Sequence, residues 1–339
     1  MKKHLLFILL IPFILIGCQN STDSSATGEE AESAETINIK LAHGGDPGHP
    51  WDDASKQFAE QVEEESNGQI IVQTYTAGQM GNDQELTEST ASGSLEMSVV
   101  ATMAMSGFEP LLQIFDLPYL FPNVETAYKV LDGEIGEEVS NVLVNKGVRS
   151  LEYWENGYRN ISNSKHPIEN VEDLEGLKIR VPQTPALISW LEKVGAIPTQ
   201  ISYTELYTAL QQGAVDGQDN GIFLTHSAKY YETQDYYSLT KHIYSPALLM
   251  INEEFYQSLS EEHQEIISAA AAEARDYQRQ LDAERESELL EQMEEEGLQV
   301  KELSEEEIKK FKDSAQSVYE EIEDEINDEL LQKILDETE

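Results

Sequence analysis

The chain of 339 residues is poor in cysteine and in basic residues, and both shortages exclude certain kinds of structure and function. Cys18 is the single cysteine, so no disulfide can form within the chain and a hydrophobic core must hold the fold together. Only 22 lysines and arginines stand against 65 acidic residues, which gives a formal net charge of −43 at pH 7. Such a surface repels phosphate backbones and anionic lipid headgroups, so the sequence indicates neither nucleic-acid binding nor electrostatic attraction to a membrane.

Signals for catalysis are also scarce. The nucleophile-elbow pattern Gly-x-Ser-x-Gly does not occur, and no cofactor or nucleotide motif is present. The segment from His43 to His49 carries two histidines and Asp46 without the spacing of metal ligands, so we expect it to line a cleft and to hold no metal. Carboxylates are abundant enough for a glycosidase-like acid pair, which keeps an exported enzyme as an alternative, but the sequence favours a protein without catalytic activity.

The N-terminus carries the one conspicuous apolar run, from Leu5 to Ile16, directly after Lys2 and Lys3. This run is too short to span a bilayer and is typical of a signal peptide, which we place at residues 1–17. No second run of the chain approaches membrane-spanning length.

The apolar run ends in Leu15-Ile16-Gly17-Cys18, which resembles the lipobox of bacterial lipoproteins. That resemblance implies that Cys18 becomes the lipid-modified N-terminus; the alternative is an ordinary secretory signal with a chance cysteine. Residues 18–35 are rich in Ser, Thr, Ala and Glu and contain no large apolar side chain, so they predict a flexible tether. We therefore expect an exported protein that is lipid-anchored to the outer face of the bacterial cytoplasmic membrane.

The sequence after the tether alternates strand and helix patterns twice, which is typical of an α/β fold with two similar lobes around a cleft. The first series consists of a strand from Ile37, a helix opened by Pro50 and stopped by Asn67-Gly68, a strand over Ile70–Tyr75, a helix capped by Asn82 and a strand over Leu95–Ala101. The second consists of a strand over Leu177–Val181, a helix from Pro185, a strand over Ile197–Gln200, a helix capped by Ser202 with Glu205 at capping-box spacing, and a strand beginning at Ala214-Val215. Two long amphipathic helices follow, from Ser260 to about Glu296 and from Ser304 to about Leu335.

A set of motifs in the second half resembles the DctP-type solute-binding proteins of TRAP transporters. The motifs are Glu155-Asn-Gly-Tyr-Arg159, Asp173-Leu-Glu-Gly-Leu-Lys-Ile-Arg180-Val-Pro182, Gly195-Ala196, Glu205-Leu-Tyr-Thr-Ala-Leu-Gln-Gln-Gly213 and Val215-Asp-Gly-Gln-Asp-Asn220. The first half adds Gln79-Met-Gly-Asn-Asp83 and the Gly93-x-Leu-Glu96 element. The resemblance covers the chain from about Thr36 to its end.

The resemblance implies roles for five residues. Arg180 would be the principal anchor of a ligand carboxylate and Arg159 a second contact, while Asn220 would also reach the ligand. Tyr203 and Asp83 would line the cleft, and we add His43 from the loop described above. A guanidinium can hold a carboxylate through two parallel hydrogen bonds, a geometry that lysine cannot match.

The resemblance also implies the architecture and the partners. We expect a two-lobed periplasmic-binding-protein-like fold, with lobe I formed by 36–156 plus about 246–285 and lobe II by 157–245 plus about 286–339. The lobes would close on a small organic acid and dock on the small and large TRAP membrane subunits. A sugar acid such as a uronate is the expected ligand; a C4-dicarboxylate is the runner-up, and a sensory ectodomain is an alternative of a different class. The sequence leaves the oligomeric state open.

Overall fold

A computed structural model describes residues 36–322 and 326–338, which form a single sheet covered by helices. The signal peptide, Cys18 and the tether lie outside the described residues. Nine strands in the described part form the sheet: β1 (Ile37–His43), β2 (Ile70–Tyr75), β3 (Met97–Ala101), β4 (Val148–Asn163), β5 (Lys178–Val181), β6 (Ile197–Gln200), β7 (Gly217–Asn220), β8 (Tyr236–Asn252) and β9 (Gln299–Glu302). Their order is β2-β1-β3-β8-β4-β7-β5-β6, with β9 beside the start of β8.

Two small parallel blocks lie at the two ends of this sheet. At one end β1 pairs in parallel with β2 and β3, and at the other end β5 pairs in parallel with β6 and β7. The long strands β4 and β8 run antiparallel to each other between the blocks and connect them. The same two strands therefore belong to both halves of the molecule.

The pairing of β4 with β8 is interrupted in the middle of both strands. The register shifts between Glu155 and Tyr158, opposite Pro246 and Tyr244. Gly157 lies in this bulge with a φ of 77°, a conformation that side chains with a Cβ rarely adopt. Successive side chains of a strand point to opposite faces of the sheet, and the bulge interrupts this alternation at Gly157 and Tyr158, which matters for the two cavities described below.

The helices cover both faces of the sheet. They are α1 (Pro50–Glu65), α2 (Asp83–Ser92), α3 (Val124–Leu131), α4 (Glu134–Asn141), α5 (Pro185–Lys193), α6 (Tyr203–Gln211), α7 (Ile222–Ser227), α8 (Glu253–Ser258), α9 (Glu261–Glu295), α10 (Glu305–Ile322) and α11 (Asp328–Thr338). The long helix α9 packs against α1, β4 and α7, so it contacts both halves of the sheet. Helix α10 packs on α5, and α11 packs on α3 and α4.

Most of the predicted strands and helices are confirmed to within two residues. Asn82 caps α2 and forms a capping box with Glu85, and Gly93 ends that helix in the left-handed conformation. The capping box predicted for α6 is wrong: Ser202 is the N-cap residue, but its hydroxyl accepts no hydrogen bond from a backbone N–H of the helix and instead donates to the Glu205 carboxylate at 2.8 Å.

Three further details differ from the sequence prediction. The strand expected from Ala214 begins at Gly217. The single helix expected for 304–335 is two helices, α10 and α11. The long strands β4 and β8 were not predicted.

The position of the bulge is compatible with lobe boundaries near 156 and 246, which remain a prediction. No helix in the described residues combines the length and the apolar character needed to cross a membrane.

Candidate functional site

A cleft opens where the ends of β1, β3, β5 and β7 approach the bulge of β4. Its empty volume, counted to the open mouth, is about 390 Å³. The lining residues are Gly44, Trp51, Asp83, Ala101, Met103, Ala104, Asn156, Arg159, Arg180, Pro182, Tyr203, Asn220 and Leu224. Five of the six residues predicted for ligand binding are in this set; the sixth, His43, is not.

Arg180 differs from every other arginine of the chain. It is 3% exposed, and its Nε donates to the backbone oxygen of Ile201 at 2.7 Å. No carboxylate of the described residues lies within 4.0 Å of its guanidinium. The other five arginines each form an ion pair with an acid: Arg149, Arg159, Arg275, Arg279 and Arg285. A buried, uncompensated charge is costly, so Arg180 is a site where an anion would be stabilised.

Arg159 also lines the cleft, but an internal partner already holds it. Its Nε lies 2.5 Å from Oδ2 of Asp219, and its Nη2 donates to the Asp219 backbone oxygen at 2.6 Å. Both residues are almost fully buried, and His242 Nε2 lies 3.6 Å from the same carboxylate oxygen. The Arg159 and His242 side chains hold the pKa of Asp219 below its usual value against the effect of burial. Nη1 is the guanidinium nitrogen of Arg159 that forms no hydrogen bond with the described residues, and its contact with a ligand stays a prediction.

Two buried asparagines contribute amide groups to the cleft wall. Asn220, the last residue of β7, donates from Nδ2 to Gln218 Oε1 at 2.5 Å. Asn156, in the bulge of β4, donates from Nδ2 to Ser245 Oγ at 3.2 Å, while its Oδ1 is buried without a partner in the described chain. An unpaired buried acceptor of this kind is suited to a ligand hydroxyl.

Asp83, at the start of α2, brings a carboxylate to the same cleft. Burial raises its pKa, and the charges of Arg180 and Arg159 oppose that rise. Within the described residues its side chain forms no hydrogen bond and no ion pair. The cleft therefore combines one unpaired guanidinium with one unpaired carboxyl group.

Tyr203 links the two sides of the cleft. It is the first residue of α6, and its hydroxyl donates to Asp46 Oδ2 at 2.9 Å across the gap to the loop after β1. Burial raises the pKa of Asp46, and this hydrogen bond opposes the rise. The sequence singled out the loop that contains Asp46 but did not identify this contact.

His43 lies behind the cleft. Its ring is fully buried at the end of β1, and burial lowers its pKa to about 4, so the ring is neutral at pH 7. The neighbouring Gly44 lines the cleft in its place. A direct contact between His43 and a ligand stays a prediction.

Trp51, which the sequence analysis did not single out, also lines the cleft. Trp51 lies in the first turn of α1 and donates from Nε1 to the Glu155 backbone oxygen at 2.8 Å. Trp51 follows Pro50, the residue predicted to open α1, so the sequence predicted its place in the helix but not its place in the cleft wall. No cluster of three or more His, Cys, Asp or Glu in the described chain could hold a metal ion.

Known proteins are similar to this chain over most of its length. Residues 41–325 match the model of the DctP family, described as bacterial extracellular solute-binding protein, family 7. The 2,3-diketo-L-gulonate-binding periplasmic protein YiaO of Escherichia coli (strain K12) is 35% identical over 247 residues, which are 73% of this chain and 75% of that protein.

Solved structures agree with the family match. The sugar acid binding protein DctPAm of Advenella mimigardefordensis, in complex with galactonate, has a TM-score of 0.87 and 34% identity, covering 90% of this chain and 98% of that one. A TRAP periplasmic solute-binding protein of Sulfurospirillum deleyianum with bound succinate has a TM-score of 0.85 and 29% identity, covering 89% and 98%. The predicted two-lobed α/β fold is confirmed by these structures. The chain therefore belongs to the DctP family and is an extracytoplasmic solute-binding protein of the TRAP transporter type.

Proposed function

We propose that the protein captures a sugar acid, such as a uronate or an aldonate, in the cleft and delivers it to a TRAP transporter without changing it chemically. The observation that carries this proposal is the pairing of Arg180, a buried guanidinium with no acidic partner, with Asp83, a carboxyl group with no basic partner, in one pocket. Arg180 would hold the ligand carboxylate, while Asp83 would accept hydrogen bonds from ligand hydroxyls.

The same pair argues against a dicarboxylate. A second carboxylate next to Asp83 would place two negative charges in a space largely removed from water, where repulsion is strong. A polyol chain instead offers donors to Asp83 and to the unpaired Oδ1 of Asn156. Relatives that bind galactonate or 2,3-diketo-L-gulonate support this choice, whereas a relative that binds succinate marks the alternative.

Thermal unfolding with added ligands tests the proposal. The purified protein would be scanned with uronates, aldonates, succinate and malate, after unfolding and refolding to remove any bound acid. A ligand at a hundred times its Kd stabilises the folded state by about 2.7 kcal/mol. Stabilisation by a sugar acid and none by succinate or malate would support the proposal; stabilisation by dicarboxylates alone would replace it with the alternative.

Arg180→Ala provides the matched variant for that screen. It should weaken binding of the active sugar acid by roughly 2–5 kcal/mol, the usual cost of breaking a buried charge pair. Arg149→Ala serves as the control, because Arg149 pairs with Glu253 away from the cleft. Equal affinity in Arg180→Ala and wild type would contradict the anchor role, and conversion of the bound acid to a product would contradict the absence of catalysis.

The proposal includes a lipid anchor at Cys18 and the TRAP membrane subunits as partners. The lipobox-like segment before Cys18 supports cleavage and lipid attachment at the outer face of the cytoplasmic membrane. The small and large TRAP membrane subunits would receive the ligand from the closed form. Cys18→Ser should leave sugar-acid binding intact and release the protein from the membrane fraction; continued membrane association of that variant would contradict lipid anchoring.

A further inference from the structure

A second cavity lies on the other side of the β4 bulge from the ligand cleft. Its empty volume, again counted to the mouth, is about 720 Å³. It is lined by Val124, Tyr128, Glu155, Gly157, Tyr158, Ile222, Phe223, Asp282, Ala283 and Glu286. Glu155 faces this cavity, while the next residue, Asn156, faces the ligand cleft. The cavity is thus a separate site, bordered by α3, α7 and α9.

Three carboxylates line this cavity, and none of them has a basic partner among the described residues. Glu155 is 7% exposed and Asp282 is 4% exposed, whereas Glu286 is exposed at the rim. None of the three forms an ion pair within the described residues. Oδ2 of Asp282 accepts from Gln278 Nε2 at 2.5 Å, but Oδ1 is buried and has no partner in the described chain. The Glu155 carboxylate accepts the Tyr128 hydroxyl.

The arginines nearby are already engaged elsewhere. Arg279 donates to Asp132 at 2.6 and 2.8 Å and to the Tyr153 backbone oxygen at 2.8 Å. Arg285 donates to Asp53 at 2.7 Å. Burial raises the pKa values of both Glu155 and Asp282; repulsion from Glu286 adds to the rise at both, and repulsion from Glu155 adds to the rise at Asp282. Either a bound proton or a bound cation would neutralise this group of carboxylates.

The walls of the cavity suit an organic cation better than a bare metal ion. A metal ion needs several ligands converging on one point, and the described residues contain no such group of three or more His, Cys, Asp or Glu. Tyr128, Tyr158 and Phe223 instead supply aromatic rings, whose faces attract ammonium and guanidinium groups. The Arg279 guanidinium already lies 4.0 Å from the centre of the Tyr128 ring.

We propose that this cavity binds a small organic cation, with its ammonium or guanidinium group between Asp282 and Glu155 and its apolar part against Phe223 and Tyr158. The cation would donate a hydrogen bond to the free Oδ1 of Asp282, the acceptor for which the protein provides no donor. The proposal is independent of the sugar-acid site, since the two cavities share no lining residue.

Calorimetric titration with butylammonium and with methylguanidinium chloride tests this site. The full protein is titrated at pH 8 and constant ionic strength, with sodium chloride as the charge-matched control for screening of the acidic surface. We expect saturable binding of one cation per chain and no saturable heat from sodium. A response to either organic cation that only matches sodium would overturn the proposal.

Two variants place the cation in the cavity. Asp282→Asn should weaken binding by about tenfold or more, because a charged hydrogen bond contributes roughly 1.5–3 kcal/mol. Glu284→Gln is the control on the same helix, since Glu284 is exposed and lies outside the cavity. Phe223→Leu keeps an apolar side chain but removes a ring face, and should weaken binding several-fold. Unchanged affinity in both Asp282→Asn and Phe223→Leu would overturn the assignment. It would also be overturned if acidic pH stabilised the protein and no organic cation did so, because a proton would then be the species that neutralises the carboxylates.

Discussion

Arg159 and Arg180 face the same cleft, yet the protein compensates only one of them. Asp219 binds Arg159 through both its side chain and its backbone, whereas Arg180 has only a backbone oxygen. The internal pair fixes the Arg159 guanidinium as part of the wall, whereas the Arg180 guanidinium has no acidic partner among the described residues and is the proposed anchor of the ligand carboxylate. Residue type alone therefore does not distinguish a structural arginine from an anchoring one.

Asp219→Asn should destabilise the fold, since it leaves Arg159 buried beside a neutral amide. Removal of one partner of a buried pair typically costs about 3–5 kcal/mol. Urea unfolding would measure the difference, with Asp313→Asn as the control, because Asp313 pairs with Lys309 on an exposed helix face. A loss no larger than that of the control would show that the Arg159 pair adds little to stability.

The buried carboxyl group of Asp116 should make the stability of the protein depend on pH. Its carboxyl group is fully buried, accepts from Thr102 Oγ1 at 3.2 Å, and has its pKa raised to about 8 by burial. Between the ordinary pKa of about 3.9 and this raised value, the folded state holds a proton that the unfolded state has lost. Stability from this group should therefore fall by about 1.4 kcal/mol per pH unit as the pH rises through that window.

Asp116→Asn removes this dependence. The variant should be more stable than wild type at pH 8, and the difference should shrink toward pH 4. Urea unfolding at three pH values would measure it, with the exposed Glu88→Gln as the control for surface charge. A constant difference between Asp116→Asn and wild type over the whole range would contradict the raised pKa.

For the helices, capping and stop residues in the sequence predicted those ends that are determined by neighbouring residues. The helix starts at Pro50, Asn82 and Ser260 and the helix stop at Gly93 are set by capping and backbone conformation within a few residues. The sequence does not predict the break between α10 and α11, because Asn327, which caps α11, is a lone N-cap residue within an acidic helical stretch without glycine or proline.

Strands β4 and β8 were not predicted because their pattern depends on tertiary structure. Their lengths of 16 and 17 residues far exceed the usual strand of about 5–6 residues. Their bulges break the alternation that identifies a strand, and polar residues such as Asn156 and Arg159 are buried because they line a cleft. The motif resemblance placed Arg180, Asn220, Tyr203 and Asp83 at one site, but the contacts of Asp46 and Asp219 depend on the folded chain.

Tyr203→Phe tests the link between α6 and the loop after β1. The substitution keeps the ring and removes the hydroxyl that donates to Asp46 across the cleft. If the bond stabilises the closed form, ligand should dissociate faster and bind more weakly by about 1 kcal/mol. Stopped-flow release would measure this, with Tyr207→Phe as the control, because the Tyr207 hydroxyl donates to Glu232 at the surface. Identical release rates in Tyr203→Phe and wild type would contradict a role in closure.

In the whole molecule, the net charge lowers the stability of the folded state and the hydrophobic core raises it. Thirty acidic residues and eight basic ones follow Ile251, mostly on helices that surround the sheet. Repulsion among so many exposed carboxylates destabilises the compact state, while the buried core carries the fold without a disulfide.

Salt should therefore stabilise this protein. Raising ionic strength from about 0.01 M to 1 M shortens the Debye length from about 30 Å to about 3 Å and screens the repulsion. The thermal unfolding midpoint should rise over that range, equally in sodium and potassium chloride. A constant or falling midpoint would show that surface repulsion is not a significant part of the stability.

The location of the three tryptophans gives the molecule a built-in optical reporter. Trp154 and Trp190 are fully buried in the core, whereas Trp51 lines the ligand cleft and donates to the backbone of Glu155 beside the β4 bulge. A solute entering the cleft changes the surroundings of one indole and leaves the other two in their packed environments. The change in intrinsic fluorescence on cleft occupancy should thus come mainly from Trp51, one of three emitting indoles, without a dye or an introduced label.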